Sequence, residues 1–304
     1  MAQTRFAPDR GLTTRMVVTM FLLGLLYVVL IGVLIAYGFQ LIFVLIFAGG
    51  LLFAQWYFSD RMALYAMHGR VVSPEEAPNL HAMVDRLCAL ANMPKPQVAI
   101  AESDVPNAFA TGRSPSRAVV CVTTGILRRL DTRELEGVLS HELSHVAHRD
   151  VTVMTVASFV GVLAGLLTRS VLWSGMMGGG RRRGGDGGGA PAVLVILLVS
   201  MVVYAVSFLL IRALSRYREL SADRAGAFLT GQPSALASAL TKISGEMGRI
   251  PSRDLREAEP YNAFFFAPAL ADGFSISSLF ATHPPLQSRL TQLAQISGQL
   301  GRAG

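Results

Sequence analysis

Apolar residues in this chain come in long unbroken runs, separated by stretches of ordinary mixed character. Residues 16–59 carry no charged side chain. A membrane-crossing helix needs about 20 predominantly apolar residues. The run therefore holds two helices, roughly Met16–Tyr37 and Phe39–Phe58, joined by a tight turn near Gly38-Phe39-Gln40. A cleaved secretory signal shares the basic start, but its apolar core is shorter and ends at a small-residue site, and none closes this run. Two more uncharged runs follow, Val151–Thr168 and Gly187–Ile211. Both reach spanning length, the first barely. They read as a second transmembrane hairpin or, alternatively, as a pair buried in protein or only dipping into a bilayer.

Between and after these runs the pattern changes to that of a folded aqueous domain. Asn79–Ala91 places Leu80, Val84, Leu87 and Leu90 at helical spacing, with Pro94 and Pro96 beyond it. Val98–Ala101, Asn107–Thr111 and Ala118–Thr123 read as short strands, the last two joined by the turn-rich segment 112–117, and together they suggest a small antiparallel meander. Asp131 with Glu134 has the form of a capping box and starts a further helix. Helices are also expected over Arg216–Leu229, Ser234–Met247 and Pro284–Leu300, with a loop-like stretch at 249–280. The fold class is α+β, mostly α, on a polytopic membrane plan. The division runs 1–59 (basic tail and first hairpin), 60–150 (first part of the catalytic domain), 151–211 (second hairpin) and 212–304 (second part).

Charge sharpens the membrane reading. Charged residues make up 15% of the chain, against about 25% in a soluble domain. The net charge is +7, but the arginines are scattered, and many flank the apolar runs: Arg5, Arg10, Arg15, Arg61, Arg149, Arg212 and Arg216. That is the positive-inside pattern of cytoplasmic helix ends, not a nucleic-acid patch. Arg181, Arg182 and Arg183, in the Gly/Arg-rich loop 178–189, run against it if both later runs span. No apolar run contains the internal ionisable residue expected of a transporter. Cys88 and Cys121 form no C-x-x-C pair and read as reduced, packed thiols.

The candidate chemistry is His141-Glu142-Leu143-Ser144-His145, an H-E-x-x-H sequence. On a helix, residues four apart share a face, so two imidazoles can hold one zinc ion while the adjacent glutamate serves as general base toward an attacking water. A catalytic zinc needs a third protein ligand and an open position. Glu219 and Asp223 share a face of a predicted helix. Glu219 can serve as that ligand, and Asp223 can hold a ligand histidine by its other ring nitrogen. An ordinary solvated charged helix has the same pattern. His145 lies six residues before the third apolar run and Glu219 eight after the fourth, or about 9 and 12 Å of helical rise, so unbroken helices would carry both to similar heights above a membrane. His148 lies near the same face but reads as structural.

The segments HELSHVAHRD (141–150), RELSAD (218–223), NAFATG (107–112) and THPP (282–285) together resemble the M48 family of membrane metallopeptidases, most closely its HtpX heat-shock branch. The resemblance covers nearly the whole chain, although the Gly/Arg-rich loop matches no signature. It implies a zincin-like domain of the gluzincin type, with one Zn²⁺ on His141, His145 and Glu219 and Glu142 as general base. It also implies a bacterial inner membrane location, an active site facing the cytoplasm, and damaged or misfolded membrane proteins as substrates. By the same resemblance, the segment Asn107, Ala108, Phe109, Ala110, Thr111, Gly112 is an edge strand for substrate, as against a plain inner strand. His283 is an oxyanion donor, as against a packing residue. The alternatives to a quality-control endopeptidase are a specific processing peptidase and a membrane scaffold that uses zinc only structurally. The expected partners are protein substrates and the lipid bilayer, with no nucleic acid.

Overall fold

The computed structural model describes residues 9–36, 40–58, 61, 64–65, 67–150, 152–154, 157, 189–247 and 284–303. In chain order its elements are α1 (Arg10–Ala36), α2 (Leu41–Tyr57), β1 (Gly69–Val71), α3 (Pro78–Ala91), β2 (Gln97–Ala101), β3 (Ala108–Thr111), β4 (Val119–Thr123), α4 (Thr124–Arg129), α5 (Thr132–Ala147), α6 (Gly189–Thr230), α7 (Pro233–Met247) and α8 (Leu286–Ala303). The fold is mostly helical α+β with one small sheet. The chain divides into two compact units, one of Thr13–Tyr57 with Val153–Leu214, the other of Met1–Leu12, Phe58–Thr152 and Ser215–Gly304.

The first unit is apolar outside as well as inside. Leu23, Leu30 and Val203 pack in its interior with Met20, Leu26 and Leu51 around them. Yet Phe21 is 70% exposed, Val28 66% and Val202 59%. Such a continuous apolar exterior marks a surface that meets something other than water. Among the described residues, α1 and the part of α6 from Val193 are long and apolar enough to cross a membrane. Helix α2 is uncharged but only 17 residues long. The third apolar run and residues 178–188 of the Gly/Arg-rich loop lie almost wholly outside the described residues.

The second unit is built on a four-stranded sheet in the order β1-β2-β4-β3. The expected antiparallel meander is incorrect, because the sheet is mixed. Strand β3 pairs antiparallel with β4, and β1 with β2, but β2 and β4 run parallel in register from Gln97↔Val119 to Ala101↔Thr123. The chain leaving β2 passes the position β4 will take, lays down β3 at the edge, and returns through a tight connection into the centre. Central β4 is buried at every position, and its side chains alternate between two cores. Val120 and Val122 belong to the main core. It also holds Val84 and Leu87 of α3, Val138, Leu139 and Leu143 of α5, and Leu236 and Leu240 of α7. Val119 and Cys121 face a smaller core with Phe109. Cys88 and Cys121 are free and buried.

Helix α3 ends after Ala91 as expected, but the left-handed backbone of Asn92 (φ 50°) closes it before the prolines are reached. The six-residue α4, capped by the Thr123 side chain, is too short to leave a periodic signal. The stretch expected as a separate helix over 216–229 is the end of the 42-residue α6, since nothing between Ile211 and Arg216 breaks a helix.

Candidate metal centre

The site begins with the phase of α5. Asp131 accepts hydrogen bonds from the backbone of Arg133 and Glu134, both at 2.9 Å, and Glu134 Oε2 accepts from the Asp131 N–H at 3.0 Å. This reciprocal cap satisfies donors that the first helical turn leaves open. Glu134 also accepts from Ser238 Oγ at 2.6 Å and Lys242 Nζ at 2.7 Å, which ties α5 to α7. Helix α6 crosses α5 closely. A Cβ on Gly226 would lie 2.8 Å from Ser140 Oγ and 3.0 Å from the backbone nitrogen of His141, so this crossing needs glycine.

The crossing brings His141, His145 and Glu219 together, all buried. The two rings stand nearly perpendicular, at 89°. Their Nε2 atoms are 3.2 Å apart. Glu219 Oε2 lies 3.5 Å from His141 Nε2, and Oε1 lies 3.4 Å from His145 Nε2. Zinc held tetrahedrally by bonds of about 2.0–2.1 Å has neighbouring ligand atoms about 3.3–3.4 Å apart, so the separation of the two Nε2 atoms suits one ion, and the Glu219 carboxylate turns one oxygen toward each of them. The outer nitrogens point the same way. His145 Nδ1–H donates to Asp150 Oδ2 at 2.7 Å, and His141 Nδ1 lies 2.9 Å from Asp223 Oδ1. With the ring protons outside, two nitrogen lone pairs and a carboxylate face one another, an arrangement that needs a cation between them.

Electrostatics lead to the same demand. Burial and the Arg218 guanidinium favour neutral His145, but the carboxylates of Asp150 and Glu219 outweigh them and raise its pKa to about 9. Burial likewise opposes charge on His141, and Asp223 and Glu219 overcome it and raise its pKa. Burial pushes the Glu142 carboxyl up, against the pull of both imidazoles.

Glu142 neighbours the cluster without belonging to it, and its carboxylate is hydrogen-bonded by the backbone of Ala110. Ala110 lies on β3, the edge strand at one end of the sheet. The Thr123 N–H donates to the Asn107 carbonyl at 2.9 Å. By the antiparallel alternation, Phe109 and Thr111 therefore turn their backbone groups toward β4, and Ala108 and Ala110 turn theirs to the open edge. Gly112 follows with φ 133°. Its added Cβ would lie 2.6 Å from the Arg117 carbonyl, so the turn closes on itself. His148 caps the end of α5, while His283 lies outside the described residues.

Four participants escape sequence reasoning. Arg289, on α8, clamps Asp223 with Nε to Oδ2 and Nη2 to Oδ1, both at 2.7 Å, and is 2% exposed. Its signal is an arginine on the apolar stripe of Leu286, Leu290, Leu293 and Ile296. Asp150 and Arg218 sit within quoted motifs, but only the fold shows Arg218 Nε donating to Asp150 Oδ2 at 3.0 Å. Asp9 accepts from Ser221 Oγ at 2.7 Å and caps α1 through the Leu12 N–H at 2.8 Å. A pairing 212 residues apart in sequence leaves no local trace.

Comparison with known proteins agrees with this geometry. The sequence profile described as peptidase family M48 matches residues 74–297. The chain is 58% identical over 301 residues to a Streptomyces coelicolor protein named protease HtpX homolog 1, covering 99% of this chain and 98% of that one. It is 53% identical over 293 residues to the protease HtpX homolog of Moorella thermoacetica, with 96% of each covered. Among solved structures, the crystal structure of S. mikatae Ste24p superposes with a TM-score of 0.54 at 16% identity, over 94% of this chain and 67% of that one, a likeness of fold.

Replacing Arg289 with methionine leaves a buried carboxylate without its cation. We expect R289M to lose about 3–5 kcal/mol of stability, and D223N in the same chain to restore part of it. Thermal unfolding of the single and double variants in detergent checks this. Losses that simply add in the double variant would show that the pair is not coupled.

Proposed function

The chain belongs to peptidase family M48 and is a membrane zinc endopeptidase, and from that premise we propose that His141, His145 and Glu219 hold the zinc while Glu142 is the general base. The carrying observation is the buried convergence of His141, His145 and Glu219, with the two Nε2 atoms 3.2 Å apart and a Glu219 oxygen 3.4–3.5 Å from each. This is the donor set of a gluzincin, and a zincin-like catalytic domain is the reading it supports. When bound, zinc polarises the scissile carbonyl and makes water acidic near neutral pH.

The rest falls to the chain's own residues. Asp223 and Asp150 fix the two rings by their outer nitrogens. Glu142 takes the proton of the attacking water and delivers it to the departing amine, and burial, which raises its pKa, suits both acts. Substrate adds as an extended strand along β3, recognised through the edge-facing backbone of Ala108 and Ala110, with Asn107, Phe109, Thr111 and Gly112 shaping that edge. His283 donates to the oxyanion, an assignment that rests on the resemblance alone. Main-chain recognition reads little sequence, which fits misfolded and damaged membrane proteins as substrates.

E142Q should retain zinc and lose cleavage of a casein-type substrate. Full cleavage by purified E142Q would sink the mechanism, and a zinc scaffold would leave cells carrying E142Q unaffected. N-methylating alternate backbone nitrogens of a cleaved peptide should slow its hydrolysis in one register and not the other; no effect in either register removes the strand-addition reading.

We further propose four spans in the cytoplasmic membrane, at the two apolar hairpins within 1–59 and 151–211. The catalytic parts 60–150 and 212–304 then face the cytoplasm. The arginines flanking the runs support this orientation. Single cysteines placed in 178–189 should react with impermeant reagents only from outside the cell. Labelling only from the cytoplasmic side would reduce the second pair to a dipping hairpin.

A further inference from the structure

The two histidines are held in unequal ways. His141 leans on Asp223, which is clamped through both oxygens by the buried Arg289. His145 leans on Asp150, and one oxygen, Oδ2, takes both His145 Nδ1–H at 2.7 Å and Arg218 Nε–H at 3.0 Å. Asp150 Oδ1 is buried with no hydrogen-bond partner among the described residues. The Arg218 side chain is 14% exposed, and its Nη2 lies 3.9 Å from Glu219 Oε1. Arg218 is thus next to one proposed ligand in sequence and bonded through Asp150 to another.

From this geometry we infer that Asp150 and Arg218 are positioning residues, an ion pair that sets the ring of His145 and the carboxylate of Glu219 as a single unit. The inference rests on the reading of His145 and Glu219 as ligands. Asp150 lies just past the end of α5, and Arg218 lies on α6, so the pair links the two ligand-bearing segments at the level of the cluster. Asp150 is a charged acceptor for the His145 N–H, which fixes the tautomer and leaves Nε2 as a lone-pair donor. Arg218 donates to the Asp150 oxygen that holds His145 and lies 3.9 Å from Glu219 Oε1, which stands 3.4 Å from His145 Nε2. The Asp223–Arg289 arm is built differently, with Arg289 closing on both Asp223 oxygens.

The test uses the full-length protein in detergent, loaded with Zn²⁺ or Co²⁺ alone. Zinc affinity is read by competition with a chromophoric chelator, and the cobalt d–d absorption reports ligand geometry. D150N and R218M should each weaken zinc about 10–100-fold, the range for loss of a partner behind a metal-bound histidine. R218M should also change the shape of the cobalt spectrum, and R218K, which keeps the charge, should recover most of the affinity. Unchanged affinity and spectrum in D150N and R218M overturn the inference. If D150N does not fold, R218M against R218K decides, and equal affinities in those two overturn it. H145A is the control for the underlying reading. If H145A keeps wild-type zinc affinity, the ligand assignment has failed; if H145A loses zinc while D150N and R218M do not, only the positioning role has failed.

Discussion

Two imidazole nitrogens 3.2 Å apart, with the Glu219 carboxylate turning one oxygen to each at 3.4 and 3.5 Å, form a buried cluster with no positive charge at its centre. Nothing in an apolar interior relieves such a contact except positive charge. Much of the surrounding structure can be read as the machinery that forces these three groups together and keeps the outer ring nitrogens from competing for the centre. A protein merely seeking stability would have turned the rings away.

The forcing is done by rigid parts. Helix α5 is pinned at its start by a reciprocal cap and along its length by the cores against the sheet and α7. Helix α6 approaches it to within a backbone contact at Gly226, beside His141. Helix α8 adds a second hold on α6, since Arg289 clamps Asp223 and Gln292 donates to the Leu220 carbonyl at 3.0 Å. The sheet supplies an edge strand whose open backbone meets Glu142. The candidate ligands, Glu142 and the β3 edge are all placed by elements packed into the core, which holds their convergence in place.

What the sequence reveals follows the range of each interaction. Histidine spacing, the Asp131–Glu134 cap and the Glu219/Asp223 face are local to one helix and are legible from a few residues. Strand β3 is legible as a strand, and its edge position comes through resemblance. The mixed pairing of β2 and β4 is not legible, because it depends on where β3 goes, and nothing in 102–107 states that the chain will skip a position. Arg289 is visible only as an arginine out of place on an apolar stripe, and its partner lies 66 residues away. Asp9 with Ser221 leaves no trace at all. Chemistry carried by one helix shows in sequence, and the contacts that hold that helix in place are fixed only by the tertiary fold.

Charge ties these observations into one account. Around the cluster lie four buried carboxylates, Glu142, Asp150, Glu219 and Asp223, against two guanidiniums, Arg218 and Arg289. With all of these ionised, the balance is two negative charges, the complement of one divalent cation. The same balance explains why both imidazoles are driven to hold protons, His145 up to about 9. A divalent cation held by His141, His145 and Glu219 would answer that charge, while the surrounding carboxylates and guanidiniums keep their own ion pairs, Asp150 with Arg218 and Asp223 with Arg289.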